Sequence, residues 1–228
     1  MKNLLYKEFS LCMPLQVPLF LCFAFMIMIP SYPYLVAGFF ICNAIFYSFM
    51  TAAMENDVTF SLLLPVSKAQ IVRAKMLFVQ IIQCVSLVLF SGVAVLNFFA
   101  HKNAGNNAGT TSSLTLIGAF LLLYCVFNLA FIPRYYKAPH KAGRIFLLSA
   151  VSVFVFIAIF EGFMIATEAL HETVPFFAFI KTYIDTFPTT AAAWAYQGAF
   201  FAVCVLVYIA ANEFCYKRAK AEFEMAEI

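Results

Sequence analysis

Few side chains in this sequence have the chemistry of an active site, and their placement argues against one. Histidines occur at His101, His140 and His171. Each lies in a different polar stretch, and alternating crossings put those stretches on two sides of a membrane, so the three cannot converge on a metal or a nucleophile. No HExxH, GxSxG or GxxxxGK[ST] occurs, and the Gly/Asn-rich stretch from His101 to Ser113 therefore holds no phosphate loop. Seven cysteines (Cys12, Cys22, Cys42, Cys84, Cys125, Cys204, Cys215) lack CxxC spacing and mostly sit in apolar runs, as small hydrophobes do. Catalysis by this chain alone is the weakest reading.

Polar chemistry inside the apolar runs is confined to two places. Glu161 is the one carboxylate well within a run, and burying a charge at mid-bilayer costs ~3 kcal/mol. It lies two turns from Glu168, so it is either a structural, interfacial group or part of a cavity wall. Gln80, Gln83 and Ser86 recur every three residues, a polar stripe for interhelical hydrogen bonds or for lining a path.

The stretch with the richest local signals is residues 55–75, ENDVTFSLLLPVSKAQIVRAK. Glu55 and Asp57 close one apolar run, and Lys68, Arg73 and Lys75 open the next. Pro65 breaks the chain, and Ser67 with Gln70 forms a capping box that starts a helix at Lys68. Between them Val58, Phe60, Leu62, Leu63 and Leu64 make an apolar patch too short to span a bilayer, suited to the membrane surface or a partner. An ordinary loop is the alternative.

The elements that must position these residues follow from composition. The chain has 228 residues, 64% hydrophobic and 11% charged, with 29 Phe and a mean hydropathy of +0.93. Soluble domains run at roughly 25% charged, so this is an all-α polytopic membrane protein. Six transmembrane helices are expected at about 13–29, 34–54, 76–100, 114–132, 145–167 and 189–211, in one domain covering 1–228. An amphipathic surface helix precedes them at 1–12, with Leu4, Leu5, Phe9 and Cys12 on its apolar side and Lys2, Lys7 and Glu8 towards water. The start resembles a signal peptide only superficially; no cleavage site follows, and it is read as a retained span. Residues 133–144 form a second basic loop with Arg134, Lys137, Lys141 and Arg144. Residues 168–188 are too polar to cross and are expected to hold one or two short helices.

Twelve of the fourteen Lys and Arg fall at the N-terminus, in the 55–75 and 133–144 loops, and in the C-terminal tail. Cytoplasmic loops carry the excess of positive charge, which places both termini inside. In the tail, Glu213 and Lys217 have i,i+4 spacing. Ala191, Ala195 and Ala199, beside Gly198 and Ala202, form a small-residue face for packing within the subunit or for dimerisation. No run of like charge suggests nucleic acid.

Three segments, MKNLLYKEF, the 55–75 loop and IPRYYKAPHKAGRI, together resemble the ABC-2 type transporter permeases, the membrane subunits of bacterial ABC exporters. The acidic end of span two followed by LLLPVSK and IVRAK is the most specific of these. A glycine expected near Ala138–Pro139 is missing. The resemblance implies a type V-like exporter transmembrane domain in the bacterial plasma membrane, with the N-terminal surface helix and short outer helices already noted. It implies a coupling contact with a separate ABC ATP-binding subunit through Glu55, Asn56, Asp57, Phe60, Leu62, Leu63, Leu64 and Pro65. It also implies a second copy or sister permease, cargo such as peptides, lipids or hydrophobic drugs, and no cofactor in this chain, ATP and Mg being held by the partner. The competing reading is a membrane protein that does not transport, such as a sensor or an immunity protein acting by sequestration.

Overall fold

The computed structural model describes residues 2–11, 13–29, 32–101, 106 and 109–225, with the side chain of His101 excepted. Expectations touching Cys12, Pro30, Ser31, residues 102–105 and 107–108 of the 101–113 loop, and the last tail glutamate, Glu227, lie outside the described residues. The described chain is helical throughout: α1 (Lys2–Leu11), α2 (Gln16–Leu21) continued by a 3-10 segment (Cys22–Met28), α3 (Leu35–Met54), α4 (Asp57–Leu62), α5 (Lys68–His101) and α6 (Leu114–Lys137). A 3-10 turn (Pro139–Lys141) leads into α7 (Ala142–Leu170), followed by α8 (Pro175–Tyr183) and α9 (Ala191–Met225).

Among the described residues five helices are long and apolar enough to cross a membrane: α3, α5, α6, α7 with its leading turn, and α9. The sixth expected crossing is different in kind. Pro14 and Pro18 interrupt its start, and only Gln16–Met28 is helical, half of it wound as a 3-10 helix. At 1.5 and 2.0 Å per residue this run reaches roughly 23 Å, short of a ~30 Å core. It joins α1 through an 83° bend, and the pair counts as a sixth span only if the two are taken together.

α5 begins at Lys68, where the capping box put the helix start, ahead of the part expected to cross: the Ser67 N–H donates to Gln70 Oε1 at 3.0 Å and the Gln70 N–H to Ser67 Oγ at 3.3 Å. Two other boundaries move. α6 runs through Pro133 to Lys137, so most of the expected 133–144 loop is helix and only residues 138–141 turn the corner. Pro133 forfeits one backbone bond, but it is buried among neighbours that hold the helix on course. α9 extends fourteen residues past the expected span, because Asn212, Cys215, Ala219 and Phe223 continue a buried face into the tail.

α6 is the axis of the bundle. Of its most apolar window 83% is buried, against 17% for α9, which lies on its flank. Gly118 allows that approach: a Cβ there would come within 2.9 Å of the Phe200 ring and 3.2 Å of Cys204 Sγ. Aromatic layers fill the rest, with Phe49 edge-on to Phe131 and Tyr135 and Phe90 stacked on Phe120 at 4.2 Å. Within the subunit, α9 does not pack through its small-residue face. Ala191, Ala195, Ala199 and Ala202 are exposed, and α9 packs through Ala193, Gln197 and Cys204.

The bundle has two polar ends. One gathers α1, α4, the start of α5, the α6–α7 corner and the end of α9, where the Lys68 Nζ donates to the Phe223 carbonyl at 3.1 Å. The opposite end carries the starts of α3 and α6, the end of α7, and α8.

Candidate functional site

The 55–75 segment folds as a six-residue helix between two long ones. The chain leaves α3 at Met54 and turns at Asn56, which sits in the left-handed region at φ 52°, a conformation that Asn tolerates better than most residues. α4 then runs from Asp57 to Leu62. A helix this short has no stability of its own. Two inward-facing side chains pin it: Asp57 and Ser61 are both buried, and both meet the ammonium of Lys7 on α1.

Lys7 Nζ lies 2.7 and 2.9 Å from the two oxygens of Asp57 and donates to Ser61 Oγ at 2.7 Å. It also lies 3.2 Å from Glu8 Oε1, and the other Glu8 oxygen accepts from Lys75 Nζ on α5 at 2.8 Å. Lys75 in turn stands over the rings of Phe49 and Phe78, at 5.0 and 5.4 Å from their centroids. Two cations and two anions thus form a closed, neutral chain from α4 through α1 to α5. Burial by itself would push the Lys7 ammonium down, but the hydrogen bond to Asp57 and the charges of Glu8 and Asp57 outweigh it and raise its pKa. Burial likewise opposes ionisation of Glu8, and Lys75 with Lys7 overcomes it, holding the carboxyl below its ordinary value.

This corrects two expectations. Lys7 and Glu8 do not face water; α1 turns them inward, because their partners on α4 and α5 lie beneath it. Asp57, expected beside Glu55 on an outward contact, is buried and spoken for. What α4 and the three residues after it present outward is Phe60, Leu63, Leu64 and Pro65, with Glu55 and Asn56 exposed beside them and Leu62 half-buried against the core. Sequence reasoning missed the network because α1 and the 55–75 loop are fifty residues apart.

The other expected residues separate into three places. Gln83 and Ser86 join a buried polar cluster in the middle of the bundle. Gln83 exchanges amide hydrogen bonds with Asn128 at 2.9 and 3.1 Å and accepts from the Tyr208 hydroxyl at 2.6 Å. Asn128 also donates to Asn212 at 3.0 Å, and Ser86 pairs with the Tyr124 hydroxyl at 2.7 Å. The cluster ties α5, α6 and α9; Asn128, alone in an apolar run, was legible as a missing partner, whereas Asn212 stands beside Glu213 just past the sixth run. Gln80 is half-buried, one turn nearer the loop end.

Glu161 sits at the opposite end, buried, with backbone N–H groups donating to it from Leu35 at 3.0 Å and from Thr110 at 2.6 Å. Asp185 does the same for Thr111, accepting from its N–H at 2.8 Å and its hydroxyl at 2.9 Å, and Lys181 bridges Asp185 and Glu168. Beside them is a cavity of about 280 Å³ walled by Asn97, Phe98, Thr111, Ser112, Lys181 and Asp185; Glu161 is not among its lining residues. Arg134, Lys137, Lys141 and Arg144 are all exposed on the α6–α7 corner. Glu213 pairs with Arg73 across helices at 2.8 Å, in place of the expected Lys217. Among the described residues no cluster of His, Cys, Asp and Glu has the makings of a metal site.

Against known proteins, residues 3–218 match the family described as ABC-2 family transporter protein. No curated protein and no solved structure matches the chain significantly. With nearly the whole length covered, the chain belongs to the ABC-2 transporter family: a multi-pass membrane protein and a component of a membrane transporter.

Proposed function

We propose that this chain is the permease subunit of an ATP-driven ABC exporter, coupled through the 55–75 loop to a separate ATP-binding subunit that holds the ATP and Mg. The observation that carries this is the construction of α4. Its outward tip is apolar, Phe60 being 54% and Leu63 81% exposed, while its inner side is bolted by Asp57 and Ser61 to Lys7. An exposed apolar tip suits a partner groove, and the charges beside it set register. A tip that could swing freely would transmit nothing. This one is tied through Lys7–Glu8–Lys75 to α5, so a push on α4 moves α1 and a membrane helix with it.

In this reading the loop end is cytoplasmic, as the Lys and Arg distribution supports, both termini are inside, α1 lies along that surface, and α2 with its 3-10 extension supplies the sixth crossing. Closure of the partner ATPase subunits then levers α4 and reopens the bundle towards the outside for a hydrophobic or amphipathic cargo. A second copy or sister permease completes the path. The setting is the bacterial plasma membrane.

The test is purification from native membranes with identification of the co-purifying soluble proteins. A near-stoichiometric partner carrying a nucleotide-binding motif is expected. Phe60→Asp with Leu63→Asp should abolish its recovery while leaving the unfolding temperature unchanged, since both side chains are exposed. Normal stimulation of the partner's ATPase by that variant would sink the assignment, and recovery of the chain without any ATPase would favour a sensor or sequestering protein.

A further inference from the structure

The corner where α6 passes to α7 is arranged against its own electrostatics, and we propose that it binds an anionic phospholipid of the cytoplasmic leaflet. α6 ends with Arg134 and Lys137 exposed, and cations suit the negative end of a helix. Lys141, at the N-cap of α7, and Arg144, in its first turn, are exposed as well, and there the helix end is positive. No acidic residue stands in that first turn and no side chain caps it. α5, by contrast, begins with a complete capping box. Arg134 donates to the Ala130 carbonyl at 2.6 Å and Lys137 lies 3.7 Å from Glu222. Lys141 and Arg144 have no ion-pair partner among the described residues. Two unpaired cations at the positive end of a helix repel it and each other, and a bound anion turns both terms favourable.

What makes the anion a lipid is the surface that continues from it. Leu147, Leu148, Val151, Phe154, Val155 and Ile159 are all exposed on α7, one to four turns beyond Arg144. The other face, Ile145, Ser149, Val153 and Ile157, is buried in the bundle. The outward stripe lies within the membrane-crossing part of α7, where a soluble partner cannot reach and an acyl chain can. Gly143 is exposed, and beyond its own chain neighbours and helix backbone nothing lies within 4 Å of where a Cβ would stand, which leaves room for a phosphate there. Headgroup cations above a lipid-facing stripe are the arrangement that recognises a negatively charged phospholipid. The choice of leaflet rests on the cytoplasmic assignment made above; the binding itself does not depend on transport.

The experiment uses the full chain, purified in neutral detergent. It is titrated separately with phosphatidylglycerol, phosphatidylcholine and inorganic phosphate while unfolding temperature is followed, and bound lipid is counted by native mass spectrometry. Phosphatidylglycerol is expected to bind and stabilise, and the other two are not. Lys141→Gln with Arg144→Gln should weaken phosphatidylglycerol binding roughly tenfold. Lys217→Gln with Arg218→Gln, which removes the same charge from exposed positions on α9, should leave it unchanged. Equal loss in both double variants overturns the site, and so does a response to inorganic phosphate as large as that to the lipid. Intact lipid binding in the Lys141/Arg144 variant, with a partner subunit or second copy lost instead, assigns the corner to protein docking and overturns it too. No arm requires ATP or an ATPase, so this proposal and the permease reading fail separately.

Discussion

At the loop end of the bundle, four ionised side chains from three helices neutralise one another. At the opposite end, two buried carboxylates are satisfied chiefly by backbone. The Lys7, Glu8, Asp57 and Lys75 set carries no net charge and every bond in it is between side chains. Glu161 and Asp185 spend their oxygens on the N–H groups of Leu35, Thr110 and Thr111 and on the Thr111 hydroxyl, and among the described residues Lys181 is the one cation paired with Asp185, which it bridges to Glu168. The difference is mechanical. Side-chain pairs join helices as rigid pieces and pass a displacement from one to the next, whereas carboxylates that grip backbone fix the path of a loop. The first arrangement suits an end that has to pass motion between helices, the second an end whose loop has to keep its path.

The comparison breaks most severely if one member of the neutral set is removed. Lys7→Met strands Asp57 in a buried site, and breaking such a pair costs about 4 kcal/mol in thermal or denaturant unfolding. Replacing Glu8 with Leu and Lys75 with Met together should cost less than about 1 kcal/mol, since both charges leave at once. A double variant as damaged as Lys7→Met would mean that the chain is not a set of pairs. At the other end Gly109→Ala is the sharper probe. Its φ of +144° disfavours any side chain, and a Cβ there would overlap the Glu161 carboxylate, so a loss of about 3 kcal/mol is expected. Glu161→Gln keeps one acceptor and loses the other, for about 2 kcal/mol.

Acidity separates the two ends by sign. Glu8 titrates below its ordinary 4.5, so its contribution is complete above that value and is lost as pH falls through the lowered pKa. Asp185 is pushed the other way, up from 3.8, by burial that outweighs the Thr111 bonds and Lys181. Its contribution therefore improves as pH falls through the raised pKa and is fully gained below 3.8. Comparing unfolding temperature against pH for Glu8→Gln and Asp185→Asn should show the two variants diverging from the parent in opposite directions. The smallest effect is expected at Arg73–Glu213, whose side chains are 40% and 50% exposed; Arg73→Gln should cost about 0.5 kcal/mol, and less in high salt.

Much of this was legible from residue types taken a few at a time. The capping box at Ser67 and Gln70 placed the start of α5 because both halves of its hydrogen bonding lie within one turn. Five of the expected crossings overlap long helices, starting no more than two residues ahead of them, because a run of twenty apolar residues has few other ways to satisfy its backbone. Local signals also misled. Pro133 reads as a helix end, yet buried packing carries α6 past it, and Glu213 had a suitable lysine four residues on but found Arg73 on another helix. Three long-range facts left no local trace: that Lys7 and Glu8 face inward, that Asp57 is taken, and that Glu161 grips a loop. The last could hardly have been read, since the loop contributes N–H groups that almost any residue supplies.

Composition and hydropathy by themselves determined that this chain lives in a membrane as a bundle of helices, because apolar length and charge scarcity act additively and need no partner. Local spacing determined where α5 begins. Which charges meet was decided only by the tertiary structure, because a buried ion is tolerable solely where its counter-ion arrives from another helix. Here α1, α4 and α5 bring Lys7, Glu8, Asp57 and Lys75 within hydrogen-bonding reach, over separations of up to 67 residues that no periodicity encodes.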